Sequence, residues 1–280
     1  MNKIKNGLMR HIVIKLGLKT KQIMCIVVVN GNQFPQERQM VESLLQEFQK
    51  NEKLQGWELK TIIKNINTKN TNVILGNTNV VLYGEGCIYD KLEEYTFKIS
   101  PMSFYQTNPI QTEVLYKKAI EFAELNGTEI VLDLYCGIGT IGIFIAKTAK
   151  KVYGIEIIED AIKDAKENAK LNKIENIEFL CGDVEIALGE LIKKSEKADV
   201  IFVDPPRRGL DNTTLNNILK IEPIKVVYIS CNPATMVRDL KILEEKYEVA
   251  KIQPVDMFPF TSHVETIALL CLKETTKPLN

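Results

Sequence analysis

Residues 131–146 read VLDLYCGIGTIGIFIA, and this stretch decides the fold of the 280-residue chain. A short apolar run is followed by a turn in which Gly137, Gly139 and Gly142 give the spacing G-x-G-x-x-G. Glycines at this spacing let the backbone approach a ligand closely, and the helix that follows points its N-terminus at the ligand. The pattern predicts a strand–turn–helix unit that binds an adenosine cofactor, either a dinucleotide or another ligand that uses the same turn.

Strand-like and helix-like segments alternate from residue 129 onward. Strands are predicted at residues 129–134, 151–156, 176–181, 198–203, 225–230, 247–256 and 263–272. Helices are predicted at residues 140–149, 159–172, 184–194, 212–220 and 233–245, after an earlier helix at 109–125. Such alternation indicates an α/β, Rossmann-like fold with a mostly parallel seven-stranded sheet and helices on both faces.

The first part of the chain is predicted to form a small α+β module. We place the boundary near Pro101, so that residues 1–100 and 101–280 are separate domains. Within the module, one helix is predicted at residues 36–50, and strands at 10–17, 22–30, 57–66, 72–75, 79–83 and 94–99.

Basic residues are concentrated at the start of this module. Residues 1–36 contain no acid and six basic residues, namely Lys3, Lys5, Arg10, Lys15, Lys19 and Lys21. Such a segment suits contact with a phosphate backbone. Lysines that protect a strand edge from pairing are an equally supported alternative.

Composition excludes several classes of protein. The chain is 45% hydrophobic and 26% charged, as ordinary globular proteins are. No apolar run reaches membrane-spanning length and no signal peptide is evident, so we expect a cytoplasmic protein that does not act on membranes. The six cysteines lack C-x-x-C pairs and metal-ligand spacing, which predicts reduced thiols and no metal site.

Polar residues follow five successive predicted strands. They are Asp133, Glu156, Asp183, Asp204 and the segment 230–233, which reads Ser-Cys-Asn-Pro. Ligands of a parallel sheet bind at the carboxyl ends of its strands, where these residues are expected to meet. Packing alone does not explain why polar residues follow the carboxyl ends of five successive strands.

Charge distinguishes between the possible cofactors. Asp133 stands directly before the glycine turn, where it would repel the pyrophosphate of a dinucleotide. S-adenosylmethionine instead carries positive charge at its sulfonium and its ammonium, which Asp133 and Asp204 would attract. Glu156, 17 residues beyond Gly139, suits a ribose diol, and Asp183 suits the amine of adenine. The sequence therefore predicts an S-adenosylmethionine site.

Five segments together carry a resemblance to a known family. They are SFYQTN, LDLYCGIGT, VDPPRRGL, YISCNPATMVRDL and HVETIALL. In combination they resemble the RNA uracil-5-methyltransferases, and within that family the bacterial 23S ribosomal RNA (uracil-5-)-methyltransferases. The resemblance implies a class I methyltransferase domain that uses S-adenosylmethionine to methylate C5 of a uridine in RNA, most specifically in 23S rRNA.

The chemistry of this reaction indicates two catalytic residues. C5 of uracil attacks a methyl group only after a thiolate has added to C6, and a base must then remove the C5 hydrogen. Cys231, at the end of a predicted strand, is the predicted nucleophile, with a buried packing role as the alternative. Glu265, entering an apolar strand, is the predicted base, and His263 is a weaker rival.

The resemblance implies further roles. Gln106 matches a glutamine near the cofactor and target base, and Tyr135 and Gly137 match cofactor contacts beside Glu156, Asp183 and Asp204. Phe104 either stacks on RNA or packs in a core. Arg207, Arg208 and Arg238 either contact phosphates or form salt bridges. The target uridine must leave any base stack, so single-stranded loops are the expected substrate.

The sequence also departs from the family. Members usually carry an RNA-binding β-barrel before the catalytic part, and many hold an iron–sulfur cluster on four upstream cysteines. Neither feature is recognised here, so no cluster is expected in this chain and its protein partners are undetermined. Two alternatives stay open. One is a catalytically weak, truncated relative that acts as an RNA-binding module, and the other is an amino-group methyltransferase that uses the DPP motif at Asp204.

Overall fold

A computed structural model describes residues 7–193 and 197–274 of the chain. The chain divides into two compact units, one ending at Phe104 and the other beginning at Tyr105. Within the described residues, no helix has both the length and the apolar character needed to cross a bilayer.

The first unit is built on a four-stranded sheet. Its elements are β1 (Met9–Gly17), β2 (Gln22–Val29), α1 (Glu37–Lys50), a 3-10 turn (Glu52–Leu54), β3 (Glu58–Ile66) and β4 (Thr78–Gly84). The strand order is β1-β2-β3-β4, and β2 and β3 are parallel. Leu44 and Phe48 of α1 pack against Val27 and Ile62 on one face of the sheet. A hairpin of β5 (Ile88–Leu92) and β6 (Tyr95–Ile99) follows.

Two details of this unit differ from the prediction. The strand predicted at residues 72–75 is wrong, because this segment is a loop. Its carbonyls at Val73 and Ile74 accept hydrogen bonds from the side-chain amide of Asn67 (2.8 and 2.9 Å) rather than from a neighbouring strand. Strand β5 was missed. Asp90 is a polar residue within this strand, and its buried carboxylate accepts a hydrogen bond from the amide of Lys19 (2.8 Å), so it belongs to the packed interior.

Basic side chains of the first segment hold parts of this unit together. Lys15 donates from Nζ to the carbonyls of Ser100 (3.0 Å) and Ser103 (2.7 Å). Arg10 donates to the carbonyl of Lys69 (2.8 Å), and the ammonium of Lys21 lies 4.7 Å from the ring centre of Trp57. These contacts favour structural roles over phosphate contact for the three residues. Lys3 and Lys5 lie outside the described residues.

The second unit confirms the predicted fold class. Its elements are α2 (Pro109–Ala123), β7 (Ile130–Leu134), α3 (Thr140–Ala146), β8 (Lys151–Glu156), α4 (Glu159–Leu171), β9 (Ile177–Cys181), α5 (Val184–Lys193), β10 (Val200–Val203), α6 (Asn212–Ile221), β11 (Lys225–Ser230), α7 (Pro233–Leu243), β12 (Tyr247–Val255) and β13 (Glu265–Leu272). The seven strands lie in the order β12-β13-β11-β10-β7-β8-β9. All neighbours from β11 to β9 are parallel, and β13 is antiparallel to both β11 and β12. The end of the helix predicted at 184–194 lies outside the described residues.

Strand register aligns the carboxyl ends at one edge of this sheet. Val203 pairs with Leu134 on one side and with Tyr228 on the other, and all three side chains are buried. The central strands are almost continuously apolar because helices cover both of their faces. Antiparallel β13 begins where parallel β11 ends, so Glu265 starts at the same edge.

Candidate active site

The glycine turn between β7 and α3 has the backbone conformation of a ligand-binding turn. Gly137 (φ 55°) and Gly139 (φ 81°) are both left-handed, which glycine adopts without strain. A Cβ atom on Gly139 would lie 2.7 Å from the ring of Phe179, so this position is filled by packing. A Cβ atom on Gly137 would meet nothing within 4 Å, which leaves open space at this point of the turn.

Asp133 is a buried carboxyl with spare hydrogen-bonding capacity. Its side chain lies in β7, 1% exposed, and Oδ2 accepts a hydrogen bond from the amide of Gly142 (2.8 Å). Oδ1 is buried and has no hydrogen-bond partner among the described residues. Burial raises the pKa of Asp133 to about 8, and the charges of Asp204 and Glu156 add to this shift. A cationic group beside this carboxyl would favour its charged form, so the position fits a cation such as those of S-adenosylmethionine.

Glu156 connects the end of β8 to the glycine turn. Oε2 accepts a hydrogen bond from the amide of Gly137 (3.2 Å), and Oε1 accepts one from the amide of Ile158 (2.9 Å). Each carboxylate oxygen has a second lone pair, so these bonds leave Glu156 able to accept the hydroxyl hydrogens of a ribose.

Tyr135 lies in the turn itself, and Asp183 follows β9 at the same edge of the sheet. Tyr135 is left-handed (φ 63°), an uncommon conformation for an aromatic residue, and its hydroxyl is hydrogen-bonded to Thr214. Burial raises the pKa of Tyr135, and the charge of Asp183 contributes to the rise. Asp183 also begins α5, because its Oδ1 accepts a hydrogen bond from the amide of Glu185 (2.9 Å).

Cys231 and Glu265 are brought together by strand register. Ser230 of β11 pairs with Thr266 of β13, so the next residue along β11 lies beside the preceding residue of β13. Glu265 is 4% exposed and Cys231 is half-buried. Burial raises the pKa of Glu265. Burial also raises the pKa of Cys231, as do the carboxylates of Glu265 and Asp204, while Arg207 opposes the shift.

Asp204 connects this pair with the glycine turn electrostatically. It follows β10 directly and is half-buried. Burial raises the pKa of Asp204 to about 7, with the charge of Glu265 as a further cause. Since Asp204 also acts on Asp133 and on Cys231, the carboxylates at this edge of the sheet form one electrostatic group.

The segment before α2 lies beside the loop that leads to Glu265. Gln106 is half-buried in this segment, and two residues later Asn108 donates from Nδ2 to the carbonyl of Met257 (3.0 Å). His263 is exposed, two residues before Glu265. Phe104 is 72% exposed, so its predicted alternative role in core packing is wrong.

A polar cluster around Asp239 was not predicted. Asp239 is fully buried in α7, and its carboxylate accepts hydrogen bonds from the hydroxyl of Tyr228 (2.7 Å) and the amide of Leu210 (2.8 Å). Arg238 forms an ion pair with it (2.6 Å) and donates to the carbonyls of Arg208 and Leu210, both at 3.0 Å. Of the two roles considered for Arg238, the salt bridge is therefore the one present. The sequence signal was an acid on the buried face of a helix.

This cluster holds the loop that contains Asp204 against the helix that follows Cys231. A Cβ atom on Gly209 would lie 2.5 Å from the carboxylate of Asp239, so the loop packs directly on it. Asn232 adds a hydrogen bond from Nδ2 to the carbonyl of Arg207 (3.2 Å). Arg207 and Arg208 themselves are exposed.

Within the described residues, no three His, Cys, Asp or Glu side chains form a group that could hold a metal ion. The expectation that this chain carries no iron–sulfur cluster is not tested by that finding and stays a prediction.

Known proteins resemble this chain in sequence and in fold. The model of the tRNA (uracil-5-)-methyltransferase family matches residues 18–273. An uncharacterized RNA methyltransferase of Caldanaerobacter subterraneus is 48% identical over 265 residues, which are 94% of this chain and 57% of that protein. Another, from Staphylococcus aureus strain COL, is 48% identical over 270 residues, 96% of this chain and 58% of that protein. The chain thus spans little more than half the length of these curated relatives.

Solved structures show the same relationship. The crystal structure of Pyrococcus abyssi tRNA (uracil-54, C5)-methyltransferase in complex with S-adenosyl-L-homocysteine is 30% identical, with a TM-score of 0.75 over 95% of this chain and 60% of that chain. The M. jannaschii tRNA m1G37 methyltransferase shares the fold more remotely, with 17% identity and a TM-score of 0.56 over 97% of this chain and 77% of that chain, a likeness of fold alone. The names of these relatives do not specify 23S rRNA, which stays a prediction. By its family match, its identities and its fold, the chain belongs to the RNA uracil-5-methyltransferase family.

Proposed function

We propose that this chain transfers a methyl group from S-adenosylmethionine to C5 of a uridine in RNA through a covalent bond between Cys231 and C6 of the base. The observation that carries the proposal is the position of Cys231 and Glu265, each next to the Ser230–Thr266 pair of two adjacent strands, at the same edge of the sheet as buried Asp133 and half-buried Asp204. A nucleophile, a base and acceptors for a cationic cofactor then share one edge of the sheet.

The proposed reaction assigns one task to each of the two catalytic residues. The thiolate of Cys231 adds to C6, which forms a C–S bond and places the electron pair of the broken C5–C6 double bond in an enolate. C5 attacks the methyl group that S-adenosylmethionine supplies. Glu265 then removes the C5 proton, the double bond returns, and the C–S bond breaks to release the thiolate. Both residues are free for another cycle once Glu265 has lost its proton.

The raised pKa values of Cys231 and Glu265 suit this sequence of steps. Because the pKa of Cys231 is raised, the residue is a thiol at neutral pH before substrate binds. Its proton must leave when the sulfur attacks, and Glu265 and Asp204 are the carboxylates whose charges reach it. The raised pKa of Glu265 brings this carboxylate closer to neutral pH, where a general base works best.

The residues of the cofactor site follow the same proposal. Asp133 and Asp204 would attract the positive charges of S-adenosylmethionine, and Glu156 would accept the ribose hydroxyls. Asp183 and Tyr135 would contact the adenine side, with the open backbone at Gly137 beside them. Gln106 would lie between the cofactor and the target base.

The RNA substrate is proposed at two levels. A uridine in a single-stranded or loop region is required, because C6 of a stacked base is out of reach of a side chain. The resemblance to bacterial enzymes supports 23S rRNA, whereas the family model and the Pyrococcus structure are described by tRNA. We propose rRNA as the substrate, with tRNA as the alternative outcome of the test below, and a cytoplasmic site of action.

Covalent trapping with RNA that contains 5-fluorouridine tests the proposal. The analogue has no C5 hydrogen for Glu265 to remove, so the C–S bond should persist as a slow band on a denaturing gel that carries label from the cofactor methyl. Cys231→Ala should give no band, and the matched control Cys181→Ala, at an exposed cysteine, should give the parent band. Comparing rRNA and tRNA fragments identifies the substrate.

Three results would contradict the proposal. A band from Cys231→Ala would move the nucleophile to another cysteine, with Cys136 in the glycine turn tested next. RNA binding without any band or methyl transfer would support the RNA-binding module. Methyl transfer to an exocyclic amine, read from the digested nucleosides, would support the amino-group enzyme that the DPP motif at Asp204 allows.

A further inference from the structure

The loop of residues 256–264 lies at the reactive edge of the sheet. It joins β12 to β13, and β13 is antiparallel to β11, so the loop is at the end where Cys231 and Glu265 meet. Its last residue precedes Glu265 directly. Any RNA that delivers a uridine to Cys231 has to pass close to this loop.

The loop is held in one conformation by its own contacts. Met257 is fully buried, and its carbonyl accepts the hydrogen bond from Asn108 (3.0 Å). Thr261 donates from its hydroxyl (2.8 Å) and its amide (3.2 Å) to the carbonyl of Phe258. The hydroxyl of Thr261 also accepts a hydrogen bond from the amide of His263 (3.2 Å). The tip is therefore a defined turn with Phe260 at its centre.

Phe260 is costly at this position in two ways. Its ring is fully exposed to solvent, which leaves a large apolar surface in water. Its backbone is left-handed (φ 69°), a conformation that is unfavourable for an aromatic residue and favourable for glycine or asparagine. A single exposed apolar residue is ordinary in proteins. An exposed aromatic residue whose backbone is also strained, in a turn fixed by hydrogen bonds, is typical of a ligand-binding position.

The position of Phe260 indicates which ligand fits. If the proposed function holds, the target uridine is turned out of its stack, and the neighbouring base loses a stacking partner. An exposed aromatic ring can replace that partner, because stacking of bases on aromatic side chains is tolerant of sequence. Glu265 lies five positions after Phe260, so the two are at most about 18 Å apart, a distance that covers the flanking nucleotides. Exposed Arg207 and Arg208 at the same edge offer positive charge to their phosphates.

We propose that Phe260 stacks on a nucleobase next to the target uridine and holds the RNA in place while that uridine is turned toward Cys231. The inference rests on the proposed function, because it needs RNA at this edge of the sheet. It adds a residue that positions the RNA and lies outside the catalytic pair and outside the cofactor site.

The test measures RNA affinity by fluorescence anisotropy, using the full chain, a single-stranded oligonucleotide with one central uridine, and fixed salt. Phe260→Ala should weaken binding roughly 10- to 100-fold, the loss expected for one stacked base, while calorimetry shows unchanged affinity for S-adenosylmethionine. Phe260→Trp should bind like the parent. Ile224→Ala, at an exposed apolar residue next to the amino end of β11, is the matched control and should change nothing.

Phe260→Asn separates binding from stability. Asparagine tolerates the left-handed backbone, so this variant should melt at a higher temperature than the parent and still lose RNA affinity like Phe260→Ala. An abasic nucleotide placed at the stacked position should remove the difference between Phe260→Ala and the parent. If Phe260→Asn binds RNA as tightly as the parent, or if no abasic position removes the difference, the inference is wrong. If the parent chain forms no covalent adduct with 5-fluorouridine RNA but the Phe260 variants show the expected RNA affinities, only the covalent mechanism is refuted. If the parent chain binds no RNA, both proposals are overturned.

Discussion

The reactive edge of the sheet has two halves that are built differently. On the half formed by β7 and β8, which we call the cofactor half after its proposed role, backbone amides of Gly142, Gly137 and Ile158 bind the carboxylates of Asp133 and Glu156. On the half formed by β11 and β13, the reaction half, register and burial bring Cys231 and Glu265 together.

This difference separates binding from reactivity. Carboxylates bonded to backbone keep one orientation before a ligand arrives, which favours a preformed cofactor site. Burial shifts the pKa values of the side chains in the reaction half, and shifted pKa values favour proton transfer. We therefore expect substitutions in the reaction half to change turnover most, and substitutions in the cofactor half to change affinity most.

The largest effect should come from Glu265→Gln in the reaction half. Without the base, the thiolate can still add and the methyl can still transfer, but the C5 proton stays. Turnover should fall about 10²- to 10⁴-fold, the usual contribution of a general base, and a methylated protein–RNA species should accumulate on ordinary RNA. A denaturing gel with label from the cofactor methyl measures it.

The matched control for this variant is Glu248→Gln, at an exposed carboxylate of β12, which should turn over like the parent. If Glu265→Gln also turns over like the parent, the base lies elsewhere, and His263 should be substituted next.

Asp133→Asn in the cofactor half should have smaller effects, namely weaker binding of S-adenosylmethionine and higher stability at alkaline pH. Loss of a charged acceptor should weaken S-adenosylmethionine binding about 10- to 100-fold in calorimetry. The raised pKa of Asp133, about 8, means that the folded chain binds more protons than the unfolded chain between about pH 4 and pH 8. Stability contributed by this group therefore falls as pH rises through that window.

The asparagine cannot ionise, so Asp133→Asn should melt higher than the parent at pH 8 and about equally at pH 4. A variant that melts lower at pH 8, with the cofactor absent, would show that the carboxylate is not destabilising in the folded chain.

The smallest effects should come from the cluster that joins the two halves. Arg238→Met leaves Asp239 without its ion pair and should lower the free energy of unfolding by about 1–3 kcal/mol, because Arg238 is half exposed and Asp239 keeps its bonds to Tyr228 and Leu210. The loop with Asp204 loses its brace in this variant, so the rate of adduct formation with 5-fluorouridine RNA should fall severalfold. The control Arg238→Lys should recover part of the stability and less of the rate, because a single ammonium cannot replace the two-carbonyl contact. If Arg238→Met, Arg238→Lys and the parent form the adduct at equal rates, the cluster around Asp239 has only a structural role.

Much of the second unit was predictable from local pattern. Apolar runs such as those of β10 and β11 are buried on both faces, and their alternation with amphipathic helices has few topological solutions. The first unit was less predictable, because Asp90 carries a polar signal yet lies inside a strand where main-chain donors satisfy it.

The residue types and spacing of the sequence alone determined the family, the parallel sheet and the identity of the residues at the strand ends. These properties depend on short-range periodicity and on the rule that carboxyl ends of parallel strands meet at one edge.

Only the tertiary structure decided which of those residues act on one another. The register of β13 against β11 places Cys231 and Glu265 next to the Ser230–Thr266 pair, and burial leaves one oxygen of Asp133 without a hydrogen-bond partner among the described residues. The contacts of Asp239 hold one loop against another helix. Nor does the sequence show that Phe260 is exposed in a strained turn. Register, desolvation and exposure arise from contacts between segments far apart in the chain, and local sequence pattern carries little information about such contacts.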